Sequence, residues 1–197
     1  MNTTNFEKSF PHYKRYPSNN QANQEEYVLN VLNEKRNGFY VEIGVGHWKN
    51  INNTYLLETQ YNWTGVGLEI NDYHCNQYNR HRRNPCVNAD AITFNYEKYF
   101  ELNGFPKQID YLQMDIDPPE RTLECLKNLP LKKYRFTVIT FEHDLFQNRE
   151  KNLPIKNEAQ EILKSYGYFM TAEDIVCEHM HFPFEDWWVD PTVIGLN

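Results

Sequence analysis

Three acidic residues each end an apolar segment that has the pattern of a buried strand. They are Glu42 in FYVEIG, Glu69 in TGVGLEI and Asp90 in CVNADAI. Gly44 and Gly46 follow the first acid, which gives the pattern E-x-G-x-G. A carboxylate at such a turn repels a pyrophosphate and suits a ligand that carries an amino group. S-adenosylmethionine carries an ammonium and a sulfonium group, and its ribose hydroxyls and adenine amino group suit the second and third acids.

The spacing of the glycines disfavours two other ligand classes. A phosphate-binding loop requires G-x-x-x-x-G-K-[ST], which this turn lacks. A dinucleotide fingerprint requires G-x-G-x-x-G, and Lys49 occupies the third glycine position. Two simpler interpretations stay open: Glu42 interacts with a helix dipole, and Glu69 is a solvated strand end. The set of three acids nevertheless favours S-adenosylmethionine over a nicotinamide dinucleotide, and with it a methyltransferase over an oxidoreductase.

A second group of ionisable residues follows two later strands, in MDIDPPERT and VITFEHD. Asp115 and Asp117 end the first of these strands, and Glu142, His143 and Asp144 end the second. Adjacent parallel strands end about 5 Å apart, so we expect these side chains to lie close together. A divalent cation relieves the repulsion among clustered carboxylates, and oxygen ligands favour Mg²⁺ or Mn²⁺, with Ca²⁺ as a further candidate.

This second group predicts both a metal site and a proton acceptor. The predicted metal ligands are Asp115, Asp117, Glu142 and His143, and the predicted catalytic residues are Asp115 and His143. The metal lowers the pKa of the acceptor hydroxyl, and His143 takes its proton. Three simpler interpretations stay open: Asp117 caps the helix that begins at Pro118-Pro119, His143 is a structural histidine, and the chemistry needs no metal.

Strands and helices alternate along the chain, which indicates an α/β fold with a doubly wound, mostly parallel, Rossmann-like sheet and helices on both faces. Ligands of such sheets bind beyond the carboxyl ends of the strands, where the acids are expected. Residues 1–20 are expected to form an extended or loosely ordered arm, and residues 21–197 a single domain. Helices are predicted over 24–36, 72–83 and, after a linker, near 157–166.

One or two closing strands are predicted in GYFMTAEDIVCEH, residues 167–179. A strand through CEHMH places Cys177, His179 and His181 on one face. Zinc binding by these three residues is not favoured, because a fourth ligand and the usual spacing are absent from the sequence.

The aromatic tail FPFEDWWVDPTVIGLN has two interpretations. Trp187 and Trp188 either pack against the sheet or form an apolar wall or lid over a sugar ring. The acid pairs at 173–174 and 185–186 are expected to be exposed to solvent rather than catalytic.

Composition limits the partners of the chain. Its 197 residues carry a net charge of -7, with a pI near 5.5. Phosphate contacts need clustered Lys and Arg, so no nucleic-acid partner is expected, and we interpret RHRR at 80–83 as a solvated helix end. No apolar run approaches the roughly 20 residues of a membrane span, and the polar start does not resemble a signal peptide. We expect a soluble, cytoplasmic protein with reduced thiols and no membrane partner, and a homodimer is one candidate assembly.

The segment VEIGVGHWKNINNTYLLE, followed by YNWTGVGLEI, resembles the FkbM-type methyltransferases, and the resemblance covers roughly residues 20–145. The shared features are a strand ending in E-I-G-x-G, an N-T-x-x-L-E helix and W-x-G-x-x-x-E. The sequence departs at 47–49, where the family usually has a small or acidic residue and Gly. The resemblance implies a methyltransferase sheet, S-adenosylmethionine as cofactor and O-methyl transfer. The implied cofactor-binding residues are Glu42, Gly44, Gly46, Asn53, Thr54, Glu69, Asp90 and Ala91.

The second half resembles the macrocin-type sugar O-methyltransferases. Asp115, Asp117 and Thr122 match their D-x-D-x-x-x-x-T pattern, whereas Glu142 and His143 stand where that family has two Asp. We therefore predict an O-methyltransferase that uses S-adenosylmethionine and a divalent metal. Its predicted acceptor is a sugar, a glycan or another small hydroxylated molecule. The alternatives are a non-catalytic S-adenosylmethionine-binding or partner-binding module, and a methyltransferase for nucleic acid or protein.

Overall fold

The computed structural model describes residues 21–176 and 183–194. The strands are β1 (Phe39–Ile43), β2 (Thr64–Glu69), β3 (Cys86–Asn88), β4 (Gln108–Met114), β5 (Arg135–Glu142), β6 (Phe169–Val176) and β7 (Pro183–Val189). The helices are α1 (Gln24–Val31), α2 (Tyr55–Tyr61), α3 (Asp72–His81), α4 (Tyr96–Leu102), α5 (Pro119–Asn128), α6 (Arg149–Ser165) and α7 (Pro191–Ile194). The predicted arm over 1–20 lies outside the described residues, as do Cys177, His179 and His181.

All seven strands form one sheet in the order β3-β2-β1-β4-β5-β7-β6. The sheet is parallel from β3 to β5, and β7 runs antiparallel to both β5 and β6. Because β1 pairs with β2 on one side and β4 on the other, the order of strand addition reverses between β1 and β4. Such a switch point opens a crevice at the carboxyl ends of the strands. The prediction of a doubly wound, mostly parallel sheet is confirmed.

Helices cover both faces of the sheet, and the strand residues alternate between them. Val41, Leu112 and Ile139 pack with α4, α5 and α6 on what we call the α5 face. The side chains of Tyr40 and Tyr111 pack with α1 and α2 on what we call the α1 face. This alternation decides the direction in which each residue at a strand end points. Among the described residues, none of the helices has the length and apolar character that a membrane crossing requires.

Two helices differ in extent from the predictions. α1 ends at Val31 rather than at residue 36, because Asn33 and Glu34 adopt positive φ angles. α6 begins at Arg149, so the predicted linker is largely helical. The side chain of Asn148 caps this helix by accepting a hydrogen bond from the Lys151 backbone N–H. The polar composition of this segment concealed the helix, since only its later turns carry a regular apolar pattern.

The aromatic tail forms β7 inside the sheet rather than a lid. Trp187 and Trp188 are each 1% exposed and belong to the cores on opposite faces. Trp187 stacks on Tyr27 with 4.3 Å between ring centroids. The interpretation that the tryptophans pack against the sheet is confirmed, and the lid interpretation is wrong. Glu185 and Asp186 are buried rather than exposed, because they lie in the same internal strand.

Candidate active site at the carboxyl ends of the strands

A cleft of about 490 Å³ opens at the carboxyl ends of β1, β2, β3 and β4. It lies at the switch point of the sheet, where α/β proteins of this topology bind ligands. Five of the eight predicted cofactor residues line it, together with Asp115 and Asp117. The lining residues are Gly44, Gly46, Leu68, Glu69, Ile70, Asn71, His74, Ala89, Asp90, Ala91, Asp115, Ile116, Asp117 and Arg121.

The turn after β1 is closely packed against β4. Gly44 has φ +79°, and a Cβ added there would lie 1.6 Å from the Asp115 carbonyl oxygen. The Gly44 N–H donates to the Leu68 carbonyl at 3.0 Å, which also fixes the turn to β2. Gly46 has φ +57°, and no atom lies within 4 Å of a Cβ added there. The first glycine is therefore required by packing, and the second leaves backbone accessible from the cleft.

Glu42, Asn53 and Thr54 do not line the cleft, although all three were predicted to bind the cofactor. Glu42 is buried, and its carboxylate accepts hydrogen bonds from Thr54 Oγ1 at 2.7 Å, Asn52 Nδ2 at 2.8 Å and the Asn53 N–H at 3.2 Å. Burial raises the pKa of Glu42, and these hydrogen bonds together with the Arg82 charge oppose the shift. The carboxylate therefore anchors the loop between β1 and α2 instead of facing a ligand.

Arg82 completes this anchor, which corrects the prediction that residues 80–83 are a solvated helix end. Its side chain is fully buried and pairs with Glu58 Oε2 at 2.9 Å. It also donates to the Trp48 carbonyl at 3.0 Å, to Asn52 Oδ1 at 2.9 Å and to Thr54 Oγ1 at 3.0 Å. A guanidinium group has five donors, and here each one reaches an acceptor. A run of basic residues gives no sign of which member turns inward.

Glu69 and Asp90 lie on the cleft wall, and both already accept hydrogen bonds. Glu69 Oε2 accepts from the Gly46 N–H at 2.9 Å, and Oε1 accepts from the Asn71 N–H at 2.7 Å. Asp90 accepts from the Arg121 guanidinium at 2.9 and 3.1 Å. Asp90 Oδ1 also accepts from the Ile92 N–H at 3.0 Å, but Asp90 Oδ2 and both Glu69 oxygens each have a further acceptor direction, so both groups can still receive donors from a ligand.

Sequence reasoning missed several residues of this cleft. Arg121 comes from α5 and faces Asp90, and nothing in the helical pattern indicated that contact. Ile70 is 64% exposed beside Glu69. An apolar residue directly after a strand-end acid was a visible signal, because large apolar side chains at a ligand cleft commonly contact the ligand.

Four carboxyl groups meet where β4 and β5 end. Asp115 lies beside Glu142, Glu142 beside Asp144, and Asp144 beside Asp117. Burial raises the pKa of Asp115 to about 7; the contact with Glu142 opposes this, and the charges of Asp144 and Asp117 add to it. Burial and the neighbouring carboxylates also raise the pKa of Glu142 well above its usual value. Carboxyl groups in contact share protons, because two ionised groups repel.

His143 points away from these carboxyl groups, which corrects its predicted place in the metal site. It is fully buried, and its Nε2 lies 3.4 Å from Asp186 Oδ1. Its Nδ1 accepts from the Leu145 N–H at 3.4 Å. The physical reason is strand alternation: consecutive side chains at a strand end point to opposite faces, so Glu142 points to the α1 face and His143 to the α5 face.

Lys156 neutralises the acids around His143. Its ammonium nitrogen lies 2.5 Å from Asp174 Oδ1, 3.0 Å from Glu173 Oε1 and 3.7 Å from Asp186 Oδ1. Among the described residues, His143, Asp174 and Asp186 form the one group of ligand atoms that lie within 4.8 Å of one another. An internal cation already balances that group. The predicted set of four metal ligands is therefore not assembled.

The helix-cap interpretation of Asp117 is wrong. α5 begins at Pro119, its N-cap residue is Pro118, and no side chain caps it. Asp117 is exposed and lies beside Asp144. Thr122, which matched the second resemblance, instead holds this loop by hydrogen bonds from its hydroxyl to the Ile116 carbonyl at 2.8 Å and from the Ile116 N–H at 3.0 Å.

Solved structures similar to this chain are methyltransferases of low sequence identity. A proposed O-methyltransferase from Klebsiella pneumoniae has a TM-score of 0.60 and 14% identity, covering 95% of this chain and 86% of that chain. An O-methyltransferase from Bacillus cereus, solved with S-adenosylhomocysteine, has a TM-score of 0.54 and 17% identity, covering 95% and 87%. Fibrillarin from Aeropyrum pernix, solved with S-adenosylmethionine, has a TM-score of 0.51 and 14% identity, covering 79% and 67%.

The similarity to these solved structures establishes the fold, whereas the family is established by the match of the sequence to a family model. No curated protein matches the chain. The methyltransferase FkbM domain model matches residues 6–170, which include the glycine turn, the cleft and the carboxyl cluster. The chain therefore belongs to the FkbM methyltransferase domain family, which is a family of S-adenosylmethionine-dependent methyltransferases.

Proposed function

We propose that this protein transfers a methyl group from S-adenosylmethionine to a hydroxyl group of a sugar, a glycan or another small hydroxylated acceptor. The observation that supports the proposal is the meeting of two predicted groups in one cleft. Glu69 and Asp90 lie on one wall, the Gly44–Gly46 turn joins them to β4, and Asp115 stands beside that turn. The residues predicted to bind the cofactor and the predicted proton acceptor thus lie in one cleft.

The residues of the cleft fit S-adenosylmethionine. The accessible backbone at Gly46 allows close approach, and Glu69 and Asp90 offer acceptor oxygens to hydroxyl and amino groups. The exposed Ile70 offers an apolar surface to a planar base. Acids outnumber the single Arg121 in the lining, which suits a cationic ligand. When bound, the cofactor supplies a methyl group already activated by a sulfonium centre.

Asp115 is the residue best placed to take a proton from the acceptor hydroxyl. It lines the cleft, it is partly exposed, and its pKa is raised to about 7. A general base works best when its pKa lies near the working pH. Glu142 contacts Asp115 and can share the proton. Asp115 thus replaces His143 in the proposed role, because His143 is buried on the α5 face.

A requirement for Mg²⁺ or Mn²⁺ is a separate part of the proposal. The geometry at His143 gives it no support, since that residue pairs with Asp186. The oxygen ligands that remain for a hard cation are Asp115, Asp117, Glu142 and Asp144. Methyl transfer measured after chelation with EDTA and again after Mg²⁺ is restored tests this requirement. Unchanged activity after chelation contradicts it.

The test of the proposed function combines a binding measurement with an activity measurement. Calorimetric titration with S-adenosylhomocysteine is expected to show binding to the wild type and, within about threefold, to Asp115→Asn. Transfer of a labelled methyl group to a panel of sugars is expected to fall about 10²- to 10⁴-fold in Asp115→Asn, the usual contribution of a general base.

The exposed Glu124→Gln on α5 is the matched control and is expected to change neither measurement. Absence of S-adenosylhomocysteine binding contradicts the proposal at its first step. Binding without transfer to any hydroxyl supports the alternative of a non-catalytic binding module. Methyl transfer that is unchanged in Asp115→Asn contradicts its role as the base.

A further inference from the structure

The carboxyl cluster at the ends of β4 and β5 carries a charge that the described residues do not balance. The charges that act most on Asp115 are those of Asp144, Asp117 and Glu42, and all three are acidic. The charges that act on Glu142 are those of Asp115, Asp144 and Glu185. His143 opposes the charge of Asp144, and Arg82 opposes that of Glu42, but no basic residue is among the groups that act most on Asp115 and Glu142. Burying like charges without a partner is costly, so this arrangement favours a cation from outside.

A second observation at the same place is independent of charge. Gln113 lies two residues before Asp115, so both side chains point to the α1 face. Its partners in the sheet are Glu42 of β1 and Thr140 of β5. Gln113 is 2% exposed, and its Oε1 has no hydrogen-bond partner among the described residues. Asp144 is buried, and its Oδ1 likewise lacks a partner there. A buried acceptor without a donor lowers stability by about 1–3 kcal/mol, so both oxygens favour a ligand that donates hydrogen bonds.

We propose that the methyl acceptor carries an amino group next to the hydroxyl that is methylated. Its substrate class is then a vicinal amino alcohol, such as an amino sugar or an aminocyclitol. The hydroxyl lies at Asp115, and the ammonium group binds at Glu142 and Asp144. This inference rests on the metal-free form of the proposed function and specifies its acceptor, since a metal ion on the same carboxylates would take the place of the ammonium group.

An ammonium group suits the site better than a second hydroxyl. It carries three donors and no acceptor, and it supplies the positive charge that the cluster lacks. Charge-assisted hydrogen bonds are roughly twice as strong as neutral ones. A hydroxyl group would satisfy one oxygen but leave the repulsion between carboxylates. A phosphate or carboxylate on the acceptor would add to that repulsion, so the same geometry disfavours anionic acceptors.

The test uses protein loaded with S-adenosylhomocysteine and three sugars of similar shape. Calorimetry is expected to show that glucosamine binds about tenfold or more tightly than glucose and N-acetylglucosamine, because the ammonium adds charge-assisted hydrogen bonds. Asp144→Asn is expected to reduce that preference to about twofold and to leave S-adenosylhomocysteine affinity unchanged, since Asp144 does not line the cofactor cleft. Glu124→Gln is the control and is expected to retain the preference.

Equal binding of the three sugars, or no binding of glucosamine, overturns the inference. Loss of S-adenosylhomocysteine binding in the preceding titration would instead overturn the proposed function, so the two failures are distinguishable.

Discussion

Two groups of buried and partly buried acids lie at the same end of the sheet, on opposite faces, and they differ in whether a basic residue of the chain balances them. On the α5 face, Asp174 and Asp186 surround the ammonium group of Lys156. On the α1 face, Asp115 and Glu142 contact each other with no basic residue between them in the described ranges. Both groups lie next to the end of β5, one on either side of the strand.

This difference separates a structural role from a functional one. A buried carboxylate that is paired inside the chain is ionised and holds elements together, as Asp186 does between β7 and α6. A buried carboxylate that lacks an internal cation has a raised pKa and can exchange protons or receive a positive ligand. The comparison therefore assigns stability to the α5 face and chemistry to the α1 face. Substitutions that remove charge from either face test this assignment.

The largest effect is expected from Lys156→Met. This change keeps the length of the side chain but removes the cation, leaving Asp174 and Asp186 without their partner. Breaking a buried ion pair typically costs about 3–5 kcal/mol, although the partial exposure of Asp174 places this case at the lower end. The free energy of unfolding, measured in urea, is expected to fall by about 3 kcal/mol.

The matched control for this substitution is Lys151→Met in the same helix. Lys151 pairs with Glu120 on the surface, with side chains 57% and 38% exposed. Exposed pairs contribute about 0.2–1 kcal/mol, so a fall of at most that size is expected. Equal destabilisation by the two substitutions would show that Lys156 does not balance the α5 face.

A second prediction concerns the pH dependence of stability at the neighbouring residues Glu185 and Asp186. Burial raises the pKa of Glu185 to about 8. The unfolded chain loses this proton near pH 4.5 and the native protein near pH 8, so the native state binds more protons in between. The free energy of unfolding is therefore expected to fall as pH rises across this window. Glu185→Gln is expected to remove most of that fall.

Asp186 is expected to act with the opposite sign. Burial raises its pKa, but its contacts with His143 and Lys156 outweigh burial and hold the pKa below its usual value. Its contribution to stability is present above the unfolded pKa of 3.8 and is lost as pH falls through the native value. Asp186→Asn should thus reduce the loss of stability at acid pH. Thermal unfolding from pH 3 to 9 measures both slopes, and slopes of the same sign would refute the contrast.

The location of the site could be predicted from the acids and glycines at the strand ends. The hydrogen-bond and ion-pair partners of its side chains could not. Gly44, Glu69, Asp90 and Asp115 were placed correctly because parallel strands end at one edge of a sheet. Arg121 was not predicted as a cleft residue, because it lies on a helix and is 31 positions after its partner Asp90 in the chain. Such long-range contacts leave no local pattern in the sequence.

The misplacement of His143 had a different cause. The sequence already showed Glu142 and His143 as consecutive residues of one strand end, and consecutive residues point to opposite faces. Both therefore could not belong to one ligand set, and the alternation rule predicts that Asp144, rather than His143, accompanies Glu142. The burial of Glu185 and Asp186 was not visible in the same way, since a polar pair inside an aromatic segment gives no sign of the internal partners that accept it.

The smallest effect, and the one that most sharpens the comparison, is expected from Glu142→Gln. Its carboxyl group has a raised pKa because it is buried beside Asp115 and Asp144. Glutamine resembles the protonated group in shape but does not ionise, so it removes repulsion from the α1 face. The free energy of unfolding at pH 8 is expected to rise by about 1 kcal/mol, with a smaller change as the pH falls toward the unfolded pKa of 4.5. Urea unfolding at the two pH values measures this change in the free energy of unfolding. Lys156→Met, which is expected to lower that free energy, is the variant for comparison. A loss of stability at pH 8 would mean that an internal partner balances Glu142, and that the α1 face is structural as well.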